Sequence, residues 1–312
     1  MSHTEAAPRT QTGGWRARLR GTVLALGRLR PTGVTRRILG GLVLTLVIAS
    51  LASAQRIWVG GGRLRGGRGY APRWAKPADF DGAFNYCRGF YSSRWREQSG
   101  SGWNTDYPGA DNNFSVRLAE LTRVPVRFDD DHQPIHVVVA LTDPLLFRCP
   151  VLFLEDVGTV EFSEEEVLRV REFLVKGGFI WTDDTWGSAA WNSWVNQISR
   201  VLPPGEFPIF DVPGTHPLMH TLYDVKEVPQ VPSINFWVRS GGRTSERGAE
   251  SANVYFKGIQ DSRGRLMVLM THNTDIADTW EREGEFPREY FDTFSPRGYA
   301  IGVNIVLHAM MR

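Results

Sequence analysis

Several apolar runs in this chain of 312 residues end in side chains that can carry protons or hold a cation. The run 135–141 ends in Thr142-Asp143, and 151–154 ends in Glu155-Asp156. The run 179–182 ends in Asp183-Asp184. The run 266–271 ends in His272-Asn273, with Asp275 and Asp278 just beyond. In open parallel sheets, ligands bind in the crevice outside the carboxyl ends of the strands. If these runs are parallel neighbours, Asp143, Glu155, Asp183, Asp184 and His272 line one rim. The chemistry expected of Asp183, Asp184 and His272 is acid/base work or ligation of a metal. A carboxyl buried beside a second one, such as Glu155, holds its proton more tightly, as general acid catalysis needs. Asp and Asn after strands also serve as caps and turn formers. Two adjacent acids on an extended chain cannot point the same way. One of Asp183 and Asp184 is therefore expected to face the cleft, close to His272, and the other to cap the next helix.

Other features carry weaker chemistry. In His216-Pro217-Leu218-Met219-His220, Pro217 suits a first helical turn and the two histidines lie one turn apart. That spacing can hold a divalent metal together with a carboxylate, the one cofactor considered; surface or capping histidines are the alternative. Trp181, Trp186, Trp191 and Trp194 cluster beside the acid pair. They read as core, with Trp186 a candidate stacking face for a sugar or other planar ligand. Gly241-Gly242-Arg243 is either an anion-binding loop through Arg243 or a solvated one. Glu155, Asn273 and Asp275 complete the candidate binding set. The chain contains no phosphate loop, no strand-linked dinucleotide fingerprint and no nucleophile elbow. Cys87 sits inside a strand candidate and Cys149 precedes one, so neither is placed as an elbow nucleophile. They form either a disulfide or two buried thiols.

These groups need a scaffold, and the pattern supplies one. Residues 84–91 read as a first strand. Asp111 can cap a helix that puts Phe114, Leu118 and Leu121 on one face. The near-continuous apolar runs 135–141 and 151–154 suit strands covered on both sides. Ser163-Glu164-Glu165-Glu166 is a capping box, followed by Val167, Val170 and Leu174 on one helical face and Gly177-Gly178 as the stop. Trp191, Val195, Ile198 and Leu202 continue at helical spacing until Pro203-Pro204. The runs 254–259 and 266–270 look like paired strands around Asp261-Ser262-Arg263-Gly264, and Ile301 and Ile305 belong to a last helix. Strands alternating with helices predict βαβ units and a layered α/β fold with a mainly parallel sheet.

The first 54 residues differ from the rest. They hold eight Arg and one acid, Glu5, then an apolar run at 38–51 closing on Ala52-Ser53-Ala54. A basic flank, a short apolar core and a small-x-small end predict a signal peptide over 1–54 with cleavage after Ala54. The alternative is an inner-membrane anchor through 38–54. Residues 55–79 read as a Gly/Arg-rich flexible linker and 80–312 as a single α/β domain. The whole chain carries +2, but the part after Ala54 holds 36 − 8 basic and 34 − 1 acidic residues, about −5. That excludes a nucleic-acid binder, which needs a basic footprint.

The stretches Thr105-Asp106-Tyr107-Pro108, Leu141-Thr142-Asp143-Pro144, Gly177-Gly178-Phe179-Ile180-Trp181-Thr182-Asp183-Asp184, Thr215-His216-Pro217, Pro232-Ser233-Ile234-Asn235-Phe236 and Thr271-His272-Asn273-Thr274-Asp275 resemble, in this order, the bacterial family called domain of unknown function 4159. The resemblance covers about 84–312. It implies a three-layer flavodoxin-like sandwich, similar to class I glutamine amidotransferases and ThuA-like proteins, and no established activity. The family's usual Asp before His-Pro is Thr215 here. The amidotransferase cysteine cannot be carried over, because the matching strand end offers Asp183-Asp184.

Two functions compete. The first is a ligand-binding or interaction domain of the cell envelope, periplasmic or extracellular, taking a small molecule, a glycan or another envelope protein. The second is a hydrolase using carboxylates, with or without a metal.

Overall fold

The computed structural model describes residues 71–97 and 100–311. The expected signal segment and most of the expected linker lie outside the described residues. The last part of that linker is not free chain. Trp74 bridges Val138, Ala75 N–H donates to Val138 O at 2.9 Å, and Arg73 Nη2 holds Asp79 at 2.8 Å. The folded unit thus begins several residues before Phe80, because 73–75 adds extended backbone to the β3 edge of the sheet and Pro77–Asp79 turns as a short 3-10 helix.

The strands are β1 (Tyr86–Phe90), β2 (Ser92–Ser93), β3 (His136–Ala140), β4 (Leu152–Glu155), β5 (Val160–Glu161), β6 (Ile180–Asp183), β7 (Ile209–Asp211), β8 (Tyr255–Gln260) and β9 (Leu266–His272). The helices are α1 (Gly109–Leu121), α2 (Glu164–Val175), α3 (Gly187–Val201), α4 (Ile234–Ser240), α5 (Asp278–Glu281) and α6 (Arg288–Met310). Seven strands form one sheet in the order β3-β1-β4-β6-β9-β8-β7. The first five in that order are parallel to one another, and the β7–β8 and β8–β9 pairs are antiparallel. The expected pairing around Asp261–Gly264 is the β8–β9 hairpin.

Apolar runs become central strands because both faces are covered. On one face Phe114 of α1, Trp280 of α5 and Ile301 and Ile305 of α6 pack on Tyr86, Phe153, Trp181 and Leu269. On the other, Val167, Val170 and Leu174 of α2 and Trp194 and Ile198 of α3 pack on Val137, Leu152, Ile180 and Met270. The result is a mixed α/β domain of three layers with a mostly parallel central sheet. The Ser163 capping box forms as its sequence requires: Ser163 Oγ accepts from Glu166 N–H, and Glu166 accepts from Ser163 N–H.

One helix departs from expectation. Asp111 is not the cap of α1; Pro108 holds that position, and Asp111 is sealed inside the first turn against Arg88. Leu121 is exposed. The acid that resembled a cap is one half of a buried ion pair, a partner that periodicity cannot reveal. Cys87 and Cys149 are joined in a disulfide, with Cα atoms 5.9 Å apart. No helix among the described residues is long and apolar enough to cross a membrane.

Candidate functional site

Across the sheet, β1 is flanked by β3 on one side and β4 on the other, while the chain runs β1 to β3 to β4. The winding direction reverses between β1 and β4, and a crevice opens at the carboxyl ends of strands at such a point. Glu155 ends β4 and pairs in register with Asp183, which ends β6. Both lie on the face that carries Tyr86, Phe153 and Trp181, as does Arg88 by alternation along β1.

Strands β4, β6 and β9 each leave the rim through a short polar residue in the left-handed region. Asp156, Asp184 and Asn273 have φ of 49°, 53° and 63°, and Asp106 joins them at 61°. Short polar side chains tolerate this backbone and bond locally. Asp156 Oδ2 accepts from Gly102 N–H at 2.7 Å, Asp184 Oδ1 accepts from Trp186 Nε1–H at 2.9 Å, and Asn273 Oδ1 accepts from Gly187 N–H at 2.9 Å. Gly102 has φ +81°, and a Cβ there would meet Ser93 Oγ, so only glycine lets this loop approach Asp156.

Behind the rim, carboxyl groups accumulate out of water. Glu155, Asp183, Asp184, Asp275 and Asp278 are buried, and Asp106 stands among them. Burial raises the proton affinity of every one, and neighbouring carboxylates add to the effect: Asp278 at Asp106, Asp156 at Asp184, Asp106 at Asp275. The opposing cations are Arg88, whose Nη1 lies 3.9 Å from Glu155 Oε1, and Arg282, whose Nε lies 3.6 Å from Asp278 Oδ1. Ligand atoms of Asp106, Asp275 and Asp278 all lie within 4.8 Å of one another.

Asp156 and Asp183 are both pushed up to about 7 by burial. In an unfolded chain they titrate at about 3.9. Between those values the folded state keeps protons that the unfolded state has released, so stability falls as pH rises. His136 and His272 oppose this on the acid side, because burial holds them below the ordinary histidine value and charging them costs stability. In EDTA the melting temperature is therefore expected to rise as pH is lowered from about 8 to about 6.5. A melting temperature that is flat or falls over that window would contradict neutral carboxyls in the fold.

The expected acid/base set is brought together only in part. Asp183 accepts from Thr271 Oγ1–H and, at 2.9 Å, from Ala277 N–H, which places it on the Thr271 face of β9. His272 is the next residue and points to the opposite face. It stacks between Trp191 at 4.8 Å and Tyr255 at 5.5 Å, and its Nε2 lies 3.2 Å from Gly187 O. Neighbouring strands are thus not enough; alternation along β9 separates the acid from the imidazole. Asp184 does not cap α3 by its side chain, since Trp186 Nε1–H occupies it and Asn273 reaches the α3 N-terminus instead.

Several candidate binding residues are spent on structure. Asn273 is wholly buried, and its Nδ2 donates to Asn253 O at 2.7 Å. Trp186 is buried and offers no stacking face. Arg243 is exposed on the loop after α4, and the arginine of that loop that reaches the rim side is Arg247, 3.3 Å from Glu97. Asp143 caps the short turn Pro144–Arg148 by accepting from Leu145 N–H. His216 Nδ1 accepts from Leu218 N–H, and both nitrogens of His220 are taken, by Asp224 at 2.8 Å and Gly214 O at 2.9 Å. The two histidines are turn formers here. Among the described residues the acids that converge as a cation could use them are Asp106, Asp275 and Asp278.

Sequence reasoning missed Arg88, Asp111 and the role of Asp106. A charged residue alone among apolar neighbours at 84–91 was the available signal for Arg88, because a lone charge inside a covered strand must find a buried partner.

A groove of about 930 Å³ opens at the start of β8, on the face of Phe256 and Trp237, opposite that of His272. Trp237 and Phe256 supply its aromatic walls, Lys226, Asn253 and Arg297 its polar ones, and Tyr255 lies at its edge. Tyr255 links it to the rim through its stack on His272.

The chain matches no curated protein. The model of the family described as Domain of unknown function (DUF4159) matches residues 94–310, a segment that takes in Asp106, Glu155, Asp183, His272, Asp275 and Asp278 but not β1 with Arg88 and Cys87. With well over half of its length matched, and the acid-bearing strand ends within the match, the chain belongs to this family.

Proposed function

We propose that the protein is a ligand-binding domain of the cell envelope that takes a glycan or similar polar ring compound in the groove beside the rim. The observation that carries this is the pair of aromatic side chains Trp237 and Phe256 set next to Lys226, Asn253 and Arg297 in that groove. Aromatic faces with a polar surround suit the alternately apolar and hydroxylated surfaces of sugars. The disulfide supports an oxidising compartment, and with it export to the periplasm or beyond. The strand order, second-first-third-fourth-fifth among the parallel strands, is that of flavodoxin-like folds. It supports the finer assignment to a class I glutamine amidotransferase-like, ThuA-like sandwich.

The test is a panel of soluble oligosaccharides and small polar ligands measured by calorimetry. Trp237→Ala and Arg297→Ala are each expected to weaken the best ligand about two- to tenfold, the worth of one aromatic or one hydrogen-bonding contact. Arg297→Ala should do so at nearly unchanged melting temperature, since that side chain is 48% exposed. Equal binding by both variants would overturn the reading.

A second reading, a carboxylate-dependent hydrolase, is favoured by one observation. Asp156 and Asp183 change charge near neutral pH, where a general acid must operate.

A further inference from the structure

We propose that Asp106, Asp275 and Asp278 form a binding site for a hard divalent cation, calcium or magnesium, on the carboxyl-end side of the sheet. This site is independent of the groove and of any ligand bound there. Its three carboxylates arrive from separate segments: the turn before α1, the loop after β9 and the first residue of α5. Their ligand atoms lie within 4.8 Å of one another. Oxygens on opposite sides of a calcium ion, each at 2.3–2.6 Å, stand about 5 Å apart, so the trio fits around one ion. A purely oxygen set without cysteine or histidine selects hard cations over zinc or copper.

Each ligand is held in place by the fold. Asp275 Oδ1 accepts from Asp278 N–H at 2.9 Å, and Asp278 Oδ2 accepts from Ile234 N–H at 3.2 Å. Asp106 is fixed by its left-handed backbone and by the bond from Ala110 N–H to its carbonyl at 2.9 Å. Such supports orient ligands before an ion arrives.

A separate observation points to an occupant. Glu155 is only 2% exposed, yet its Oε2 is shut off from solvent with no hydrogen-bond partner. Glu155 is the cross-strand neighbour of Asp183 on the same face, and Asp183 Oδ2 accepts from Ala277 N–H, between Asp275 and Asp278, so this carboxyl borders the loop that carries two of the ligands. Asp106 Oδ2 is also sealed and unpartnered. A buried carboxylate oxygen left without a partner costs free energy that a cation would offset. Arg282, the cation beside Asp278, also pairs with Glu281 and Glu285, so one guanidinium is shared among three carboxylates.

The experiment uses the EDTA-treated chain, titrated with CaCl2, MgCl2 and ZnCl2 by calorimetry and with terbium by its tryptophan-sensitised emission. Calcium or magnesium is expected to bind, raise the melting temperature and displace terbium, with zinc the weakest competitor. Asp275→Asn and Asp278→Asn should each weaken binding about tenfold or more. Asp224→Asn, in an exposed acid paired with Lys226, should bind as the wild type does. Glu155→Gln, which keeps size and removes charge, is a further arm should the Asp variants fail to fold, and it too is expected to weaken binding. The proposal is overturned if the wild type binds neither calcium nor magnesium at about 10 mM, above the weakest extracellular calcium modules at roughly 1 mM. Binding unchanged in folded Asp275→Asn or Glu155→Gln overturns it as well. Glycan binding that persists in EDTA would leave the groove reading standing whichever way the cation result falls.

Discussion

Arg88→Met is expected to destabilise the domain by about 3–5 kcal/mol, the cost of breaking a buried ion pair by removing one partner. Arg88 and Asp111 both have fully buried side chains. Arg88 Nε donates to the two Asp111 oxygens at 3.0 and 3.2 Å, and Nη1 donates to Thr105 O at 2.8 Å and Trp103 O at 3.3 Å. The guanidinium therefore ties β1 to the start of α1 and to the turn that leads to Asp106. Its loss leaves Asp111 as an unpaired buried carboxylate and removes the nearest cation from Glu155. Urea unfolding checks the prediction through a lower midpoint at unchanged slope. The double variant Arg88→Met, Asp111→Leu should recover much of the loss, because replacing both charges by apolar groups is far cheaper than orphaning one. If Arg88→Met alone unfolds at the wild-type midpoint, the pair does not hold this part of the fold together.

Reducing the Cys87–Cys149 disulfide is expected to cost about 4 kcal/mol, from the chain entropy regained by the unfolded state. The two residues are separated by 62 positions in sequence, so the bond closes a long loop. At roughly 2–4 °C per kcal/mol for a domain of this size, the melting temperature should fall by roughly 10 °C. Cys87 points to the face of β1 opposite Arg88 and packs with Leu152 and Val137, while Cys149 lies just before β4. The bond thus pins β1 beside β4 on the far side from the ion pair. The check compares reduced and oxidised protein, with Cys87→Ala, Cys149→Ala as the variant that buries no new hydroxyl. Equal melting of the two forms would contradict it. A loss of the expected size means that the rim is assembled at full strength only where disulfides persist.

The elements themselves were legible in the sequence. Apolar runs of strand length, the Ser163 capping box and the Gly177-Gly178 stop identify β3, β4, α2 and β6 because local periodicity and caps act within a few residues. The export reading of 1–54 rests on the same kind of local signal, and so does the rim, since strands that end in Glu155-Asp156, Asp183-Asp184 and His272-Asn273 place acids at carboxyl ends whatever their neighbours are. Tertiary structure decided which of these groups meet. A two-residue period says that Thr271 and His272 face opposite ways, but only the pairing of β6 with β9 shows that Asp183 shares the face of Thr271 and not that of His272. No local pattern marks Asp106 as the partner of Asp275 and Asp278, because one precedes the first long helix and the others follow the last strand. Asp111 and Asp106 look alike in sequence, as acids near the start of a helix. One is neutralised by Arg88 from a strand more than twenty residues earlier, while the other is left among carboxylates. Charge balance in a dry interior depends on which side chains lie within a few ångströms, and that distance is set by the packing of strands and helices, not by their order along the chain.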